Sequence, residues 1–123
     1  MGLFGIGNKK SSSNSINWVQ FTNENQLGEF IEESKHTPVL FFKHSTRCSI
    51  SAMAKYRLES DWDIENITPV YLDLLRYRPI SNKLAEEFGV HHESPQVILI
   101  KDGMAVLDLS HSQITVNAIK KGL

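Results

Sequence analysis

The chain is poor in the residues that staple small proteins together or anchor them in membranes. Cys48 is the only cysteine among 123 residues. One thiol cannot close an internal disulfide, and no thiol cluster exists to ligate a metal. A lone cysteine without a secretion signal points to a reducing cytoplasm. The opening MGLFGIGNKK lacks the early basic region, long apolar region and cleavage site of a signal peptide. Ile6 also stands where N-myristoylation wants Ser or Thr. The longest apolar runs, such as Val39–Phe42 and Val97–Ile100, are far short of the ~20 residues of a membrane helix. No charge of one sign dominates. With 13 basic and 14 acidic residues the net charge is -1, which leaves no global field to hold nucleic acid or an anionic bilayer.

What is present suits one globular domain. Hydrophobic residues make up 41% and charged residues 22%, enough to bury a core without disulfide or metal staples. Residues 1–15, with three glycines, Lys9-Lys10 and the polar run Ser11 to Ser15, read as a flexible tail. Residues 16–123 read as the domain. Ile16 to Phe21 is a first short strand. Asn23 and Gln26 have capping-box spacing, and Leu27, Phe30 and Ile31 follow at helical intervals, so a helix is expected over 24–35. Val39 to Lys43 reads as a strand buried on both faces. A helix over about 47–60 should be capped by Thr46, turn Ile50, Met53, Ala54 and Leu58 inward, and be sealed by Trp62. Pro69 opens a strand over Val70 to Leu74. Pro79 and Gly89 bracket a helix that buries Ile80, Leu84, Ala85 and Phe88. Gln96–Lys101 and Met104–Leu109 form a hairpin about Asp102-Gly103, and a last helix covers about 113–121. Helical connections make the first strands parallel, and the hairpin makes the last pair antiparallel. The sum is an α/β fold, a mixed sheet of about five strands with helices on both faces.

Chemistry concentrates around Cys48. A buried strand ends, a polar turn follows, and the cysteine falls in the first turn of a helix. Free backbone N–H groups and the positive end of the helix dipole favour thiolate over thiol there, and Arg47 adds positive charge. A buried, inert cysteine is the alternative, but Thr, Arg and Ser neighbours fit it poorly. Ser51, three residues on, cannot form a disulfide as a second cysteine would. It can donate a hydrogen bond to the sulfur one helical turn away, or it is a plain surface serine. His44 and Cys48 are too few for a zinc site, and no metal is expected. His91-His92 and the Arg76-Tyr77-Arg78 spot read as solvated, with His91-His92 also able to line the thiol cleft. Trp18, Phe41, Phe42 and Trp62 read as core.

The strand–turn–Cys–helix unit, the Asp102-Gly103 hairpin and Ser94-Pro95 before a strand together resemble the thioredoxin-like three-layer sandwich. The resemblance implies a cis Ser94-Pro95 bond beside the active cysteine, with Ser94 offering backbone hydrogen bonds to a bound thiol or peptide. Val39 through Leu58, centred on Thr46-Arg47-Cys48-Ser49-Ile50-Ser51, is similar to the YtxJ family of the bacillithiol redox system, the monothiol bacilliredoxins. Ser94 to Leu99, Asp102-Gly103, Ser110-His111-Ser112 and Ile114-Thr115 resemble that family too, so the likeness covers about residues 16–121. The family pattern T-R-C-P-I-S departs here at Ser49, which restores a backbone N–H at the helix start.

The resemblance implies a thiol–disulfide oxidoreductase that removes bacillithiol from S-bacillithiolated proteins through a Cys48 mixed disulfide. Arg47 and Ser51 assist Cys48, while Thr46, His44, Ser94 and Pro95 bind substrate. Arg47, Lys43 or His44 would pair with the malate carboxylates of bacillithiol. Bacillithiol is then a co-substrate and no cofactor is bound. The expected partners are bacillithiolated clients and a partner thiol reductase, with no nucleic acid or membrane, for a cytoplasmic monomer. A non-catalytic thioredoxin-fold adaptor and a single-cysteine redox sensor are the alternatives.

Overall fold

A computed structural model describes residues 16–123, so the tail expected over 1–15 lies outside the described residues. Along the chain run β1 (Val19–Gln20), α1 (Gln26–Glu33), β2 (Val39–His44), α2 (Ser49–Asp61), β3 (Thr68–Asp73), α3 (Arg78–Phe88), β4 (Gln96–Lys101), β5 (Met104–Ser110), a 3-10 turn (His111–Gln113) and α4 (Val116–Lys120). The strands form one mixed sheet in the order β1-β3-β2-β4-β5. β1, β3 and β2 are parallel; β4 runs antiparallel to β2 and β5 antiparallel to β4.

Helices cover both faces of this sheet because its central strands are apolar on both. On β2, Leu40 and Phe42 pack with Ala54, Leu58 and Trp62 of the α2 segment and with Ile114, Val116 and Ile119. Val39 and Phe41 pack the other way, with Leu27 and Phe30 of α1 and Ile80 and Leu84 of α3. The result is the expected three-layer α/β sandwich.

The antiparallel entry of β4 differs from what a helical connection suggests. Asp73 at the end of β3 is in register with His44, and Gln96 at the start of β4 pairs with Lys43. The chain therefore re-enters the sheet at the end it left, and α3 is not a crossover. That one end collects the last residues of β2 and β3, the start of α2 and the segment before β4.

Smaller differences have local causes. β1 shrinks to two exposed residues at the sheet edge, while Ile16 and Phe21 leave it for opposite cores. Asn23 and Gln26 do organise the first turn of α1, since Gln26 Oε1 accepts from the N–H groups of Thr22 and Asn23. Pro69 lies inside β3, where β1 does not reach and no donor is wanted on that side. The last helix breaks into the 3-10 turn and α4. Thr115 caps α4 by accepting from Ala118 N–H, and Ile114 drops into the core between the two pieces. Asp102 and Gly103 both have positive φ, 53° and 77°, as the tight hairpin requires.

The largest correction concerns α2. Ala54 and Leu58 face inward, but Ile50 and Met53 are 54% and 63% exposed. The third inward residue is Ser51, fully buried. A buried serine needs a partner, and that partner ties the helix to the site.

Candidate functional site

Two neighbouring polar residues end β2. Side chains alternate along a strand, so Lys43 and His44 point to opposite faces of the sheet, and both are buried.

His44 faces α2. Its Nδ1 lies 2.7 Å from Ser51 Oγ, and the Ser45 N–H donates to the same oxygen at 3.1 Å. Burial lowers the pKa of His44, Lys55 adds to the effect, and Asp73 and Glu59 oppose it. The ring is thus neutral, and we assign Ser51 O–H as donor to Nδ1. The expected hydrogen bond from Ser51 to the sulfur is not formed: its hydroxyl is turned into the core. The plain surface serine is equally excluded.

Cys48 stands at the N-cap of α2 rather than in its first turn, with extended dihedrals of -111° and 122°. Its N–H donates to Ser45 C=O at 3.2 Å and its C=O accepts from Ala52 N–H at 3.0 Å. The Cys48 residue is half-buried. Thr46, expected as the cap, and Arg47 are exposed in the turn before it. With Asp73, Leu75 and Arg76 they line a recess of about 430 Å³.

Lys43 faces α3. Its Nζ lies 2.8 Å from both His92 Nδ1 and Gln96 Oε1. Gln96 Nε2 in turn donates to His91 C=O. Burial pushes the Lys43 pKa down to about 8, with Arg78 adding to the effect and Glu93 opposing it. His92 is lowered as well, by burial first and by Lys43 and Arg78 next. His92 is therefore an internal partner and not the solvated residue its sequence context suggests, whereas His91 is exposed. Together these bonds fasten the segment 91–96, which carries Ser94 and Pro95.

The Ser94-Pro95 bond is cis. Lys43 pairs with Gln96, so the same antiparallel register carried one residue further sets Pro95 opposite His44. Pro95 C=O accepts from His111 N–H at 3.1 Å. Thr46, Arg47, Cys48, Ser94 and Pro95 thus gather at one end of the sheet, with His44 and Ser51 buried beneath. The sequence gives Ser45 and Gln96 no part in the site, His92 only the choice between solvated loop and cleft lining, and Arg76 none beyond solvated surface. The available signal was a lysine closing an otherwise apolar strand, which in a buried setting demands acceptors. Among the described residues no group of three or more His, Cys, Asp or Glu is placed to hold a metal ion.

Chemically, this is a single thiol at a helix start, held between two hydrogen-bonded supports. It can exchange with a disulfide, but no second thiol can release the adduct.

Comparison with known proteins agrees. The model of the family described as Monothiol bacilliredoxin BrxC matches residues 19–119. A solved structure described as a candidate oxidoreductase with a thioredoxin fold is 29% identical, with a TM-score of 0.71 over 85% of this chain and 91% of that one. Mitochondrial thioredoxin 3 from Saccharomyces cerevisiae is 20% identical, with a TM-score of 0.62 over 85% and 92%. Malassezia sympodialis thioredoxin is 15% identical, with a TM-score of 0.64 over 85% and 91%. The two thioredoxins are similar in fold.

Proposed function

The chain belongs to the monothiol bacilliredoxin family, and on that premise we propose that it removes bacillithiol from S-bacillithiolated proteins. The observation that carries this reading is the half-buried Cys48 at the N-cap of α2, the only thiol in the chain. The Cys48 thiolate attacks the bacillithiol sulfur of the client mixed disulfide. A Cys48–bacillithiol disulfide forms, the client S–S bond breaks, and the client thiolate leaves and takes a proton. Electrons balance, since one disulfide replaces another. A second thiolate, from bacillithiol or a partner reductase, then attacks the adduct and frees Cys48. Ser94 and Pro95 hold the incoming disulfide. Among the described residues no helix is long and apolar enough to cross a membrane.

A bacillithiolated client tests the reading. Without free thiol, the protein should accept one bacillithiol per molecule and stop, with the mass increment on Cys48. Added bacillithiol should restart turnover, which a sensor that only stores the adduct would not support. Ser51→Cys should instead release bacillithiol and accumulate an internal disulfide. A client that becomes reduced with no adduct ever appearing on Cys48 would overturn direct exchange, and failure to transfer at all would favour the adaptor.

A further inference from the structure

Three cationic or titratable groups beside the thiol were available to bind the carboxylates of a small thiol, and the structure removes two of them. Lys43 is fully buried and its Nζ is bonded to His92 and Gln96. His44 is buried, neutral and bonded to Ser51. Arg47 remains, exposed in the turn that ends at Cys48. Arg76, in the connection between β3 and α3, lines the same recess.

Both guanidinium groups lack an acidic partner. Among the described residues the ion pairs join Lys35, Lys55, Lys120, His91 and His111 to carboxylates, and none involves Arg47, Arg76 or Arg78. Asp73 shares the recess, but its Oδ1 accepts from the Arg76 backbone N–H at 3.3 Å, as a turn residue does. Arg76 lies over the Tyr77 ring, 5.7 Å from Cζ to centroid, and this contact leaves the N–H fork free to bind. In a chain of net charge -1, two unpaired arginines line one recess, and one of them, Arg47, is the residue before the nucleophile. Planar forks of this kind pair with carboxylates two bonds at a time.

We propose that the recess between Arg47 and Arg76 is a dicarboxylate subsite that binds the malate end of bacillithiol, with Arg76 as a specificity-determining residue. This rests on the reading of the chain as a bacillithiol-exchanging protein. The sulfur and the malate of bacillithiol are separate ends of one molecule. A subsite one residue from Cys48 in sequence can hold the malate while the sulfur is attacked. Thr46, at the rim of the same recess, supplies a hydroxyl.

The test uses small disulfides with no client present. The reduced full-length protein is mixed with bacillithiol disulfide or with the neutral 2-hydroxyethyl disulfide. In each reaction Cys48 thiolate takes one half of the disulfide and the other half leaves as thiolate. Adduct formation is followed by intact mass. Arg76→Gln should slow the bacillithiol reaction about tenfold, equivalent to ~1.4 kcal/mol, and leave the hydroxyethyl reaction unchanged. Arg76→Lys should recover only part of the loss. Free malate should inhibit the bacillithiol reaction of the wild type and not that of Arg76→Gln. Equal slowing of both disulfides, or of neither, would overturn the subsite. So would slowing seen only with a bacillithiolated client, which would assign the arginine to a client carboxylate. A wild type that reacts with hydroxyethyl disulfide but never with bacillithiol disulfide would instead overturn the proposed function.

Discussion

Lys43 and His44 are adjacent on β2, equally buried, and fastened to different parts of the site. His44 holds the helix that presents the nucleophile, through Ser51 and Ser45. Lys43 holds the segment that presents Ser94 and Pro95, through His92 and Gln96. The difference is one of charge. The His44 support is built from neutral groups and loses its acceptor when the ring is protonated. The Lys43 support uses an ammonium that burial disfavours, so losing that proton relieves a cost. Protonation therefore burdens both supports, His44 in the acid range and Lys43 in the alkaline range. Strand alternation alone separates them: one residue of register sends each to its own face.

The largest test of this contrast is the alkaline limb of stability. Folding lowers the Lys43 pKa from 10.5 to about 8. Between those values the unfolded chain binds more protons than the folded one, so stability rises with pH across that window. The gain is on the order of 3 kcal/mol at about 1.4 kcal/mol per unit. Arg78, Glu93 and His92 face the ammonium and set this balance. Lys43→Met removes a costly buried charge but leaves Gln96 Oε1 and His92 Nδ1 without their donor, so it should lie about 1–3 kcal/mol below wild type at pH 7. It should then fall further behind as pH approaches 10. Urea unfolding of both proteins at pH 7, 8, 9 and 10 measures this, and parallel curves would show that Lys43 keeps an ordinary proton.

Next in size is the neutral support. Ser51→Ala strands His44 Nδ1 and Ser45 N–H in the core, at a cost of about 1–3 kcal/mol. Ser60→Ala, on the exposed side of the same helix, should be nearly silent. Equal losses would mean that Ser51 contributes only helix propensity. Smaller again is the acid limb. The folded His44 gives up its proton more readily than the unfolded one, so the unfolded chain binds more protons as pH falls below about 6.5. Stability should drop there, and His44→Asn should flatten that drop in the same urea series.

Much of this architecture was legible in the sequence, and the exceptions share a cause. Patterns read within one segment held: the Asp102-Gly103 turn, the Pro79 and Gly89 boundaries of α3, the apolar run of β2 and the position of Cys48 at a helix start. Apart from the cap of α2, which fell to Cys48 and not Thr46, what failed needed a partner on another element. Ser51 reads as a donor to the sulfur or a surface serine until His44 is known to lie beneath it. Lys43 reads as a strand-end cation until Gln96, 53 residues away, is found opposite. Arg76 reads as solvated until the β3–α3 connection is seen to share a recess with Arg47. The inward stripe of α2 was misjudged by the same rule: hydrophobicity favoured Ile50 and Met53, whereas the core took Ser51 because a histidine awaited it.

The smallest expected effect is the sharpest check on that last point. If Ser51, Ala54 and Leu58 are the inward face, Ile50 points outward next to the thiol and is 54% exposed. Ile50→Ser should then change stability by no more than about 0.5 kcal/mol, as surface substitutions do. If hydrophobicity had set the helix, Ile50 would be a core residue, and losing it would cost several times more, about 2–5 kcal/mol, the scale of burying a cavity. The two rotations of α2 about its own axis exclude each other. A costly Ile50→Ser would swing Ser51 off His44 and dissolve the neutral half of the contrast, leaving Lys43 as the only buried anchor of the site. Urea unfolding of this one variant at pH 7, set beside Ser51→Ala, therefore decides which face of α2 the protein buries. A near-silent Ile50→Ser with a costly Ser51→Ala fixes the helix by its hydrogen bonds, against its hydrophobic pattern.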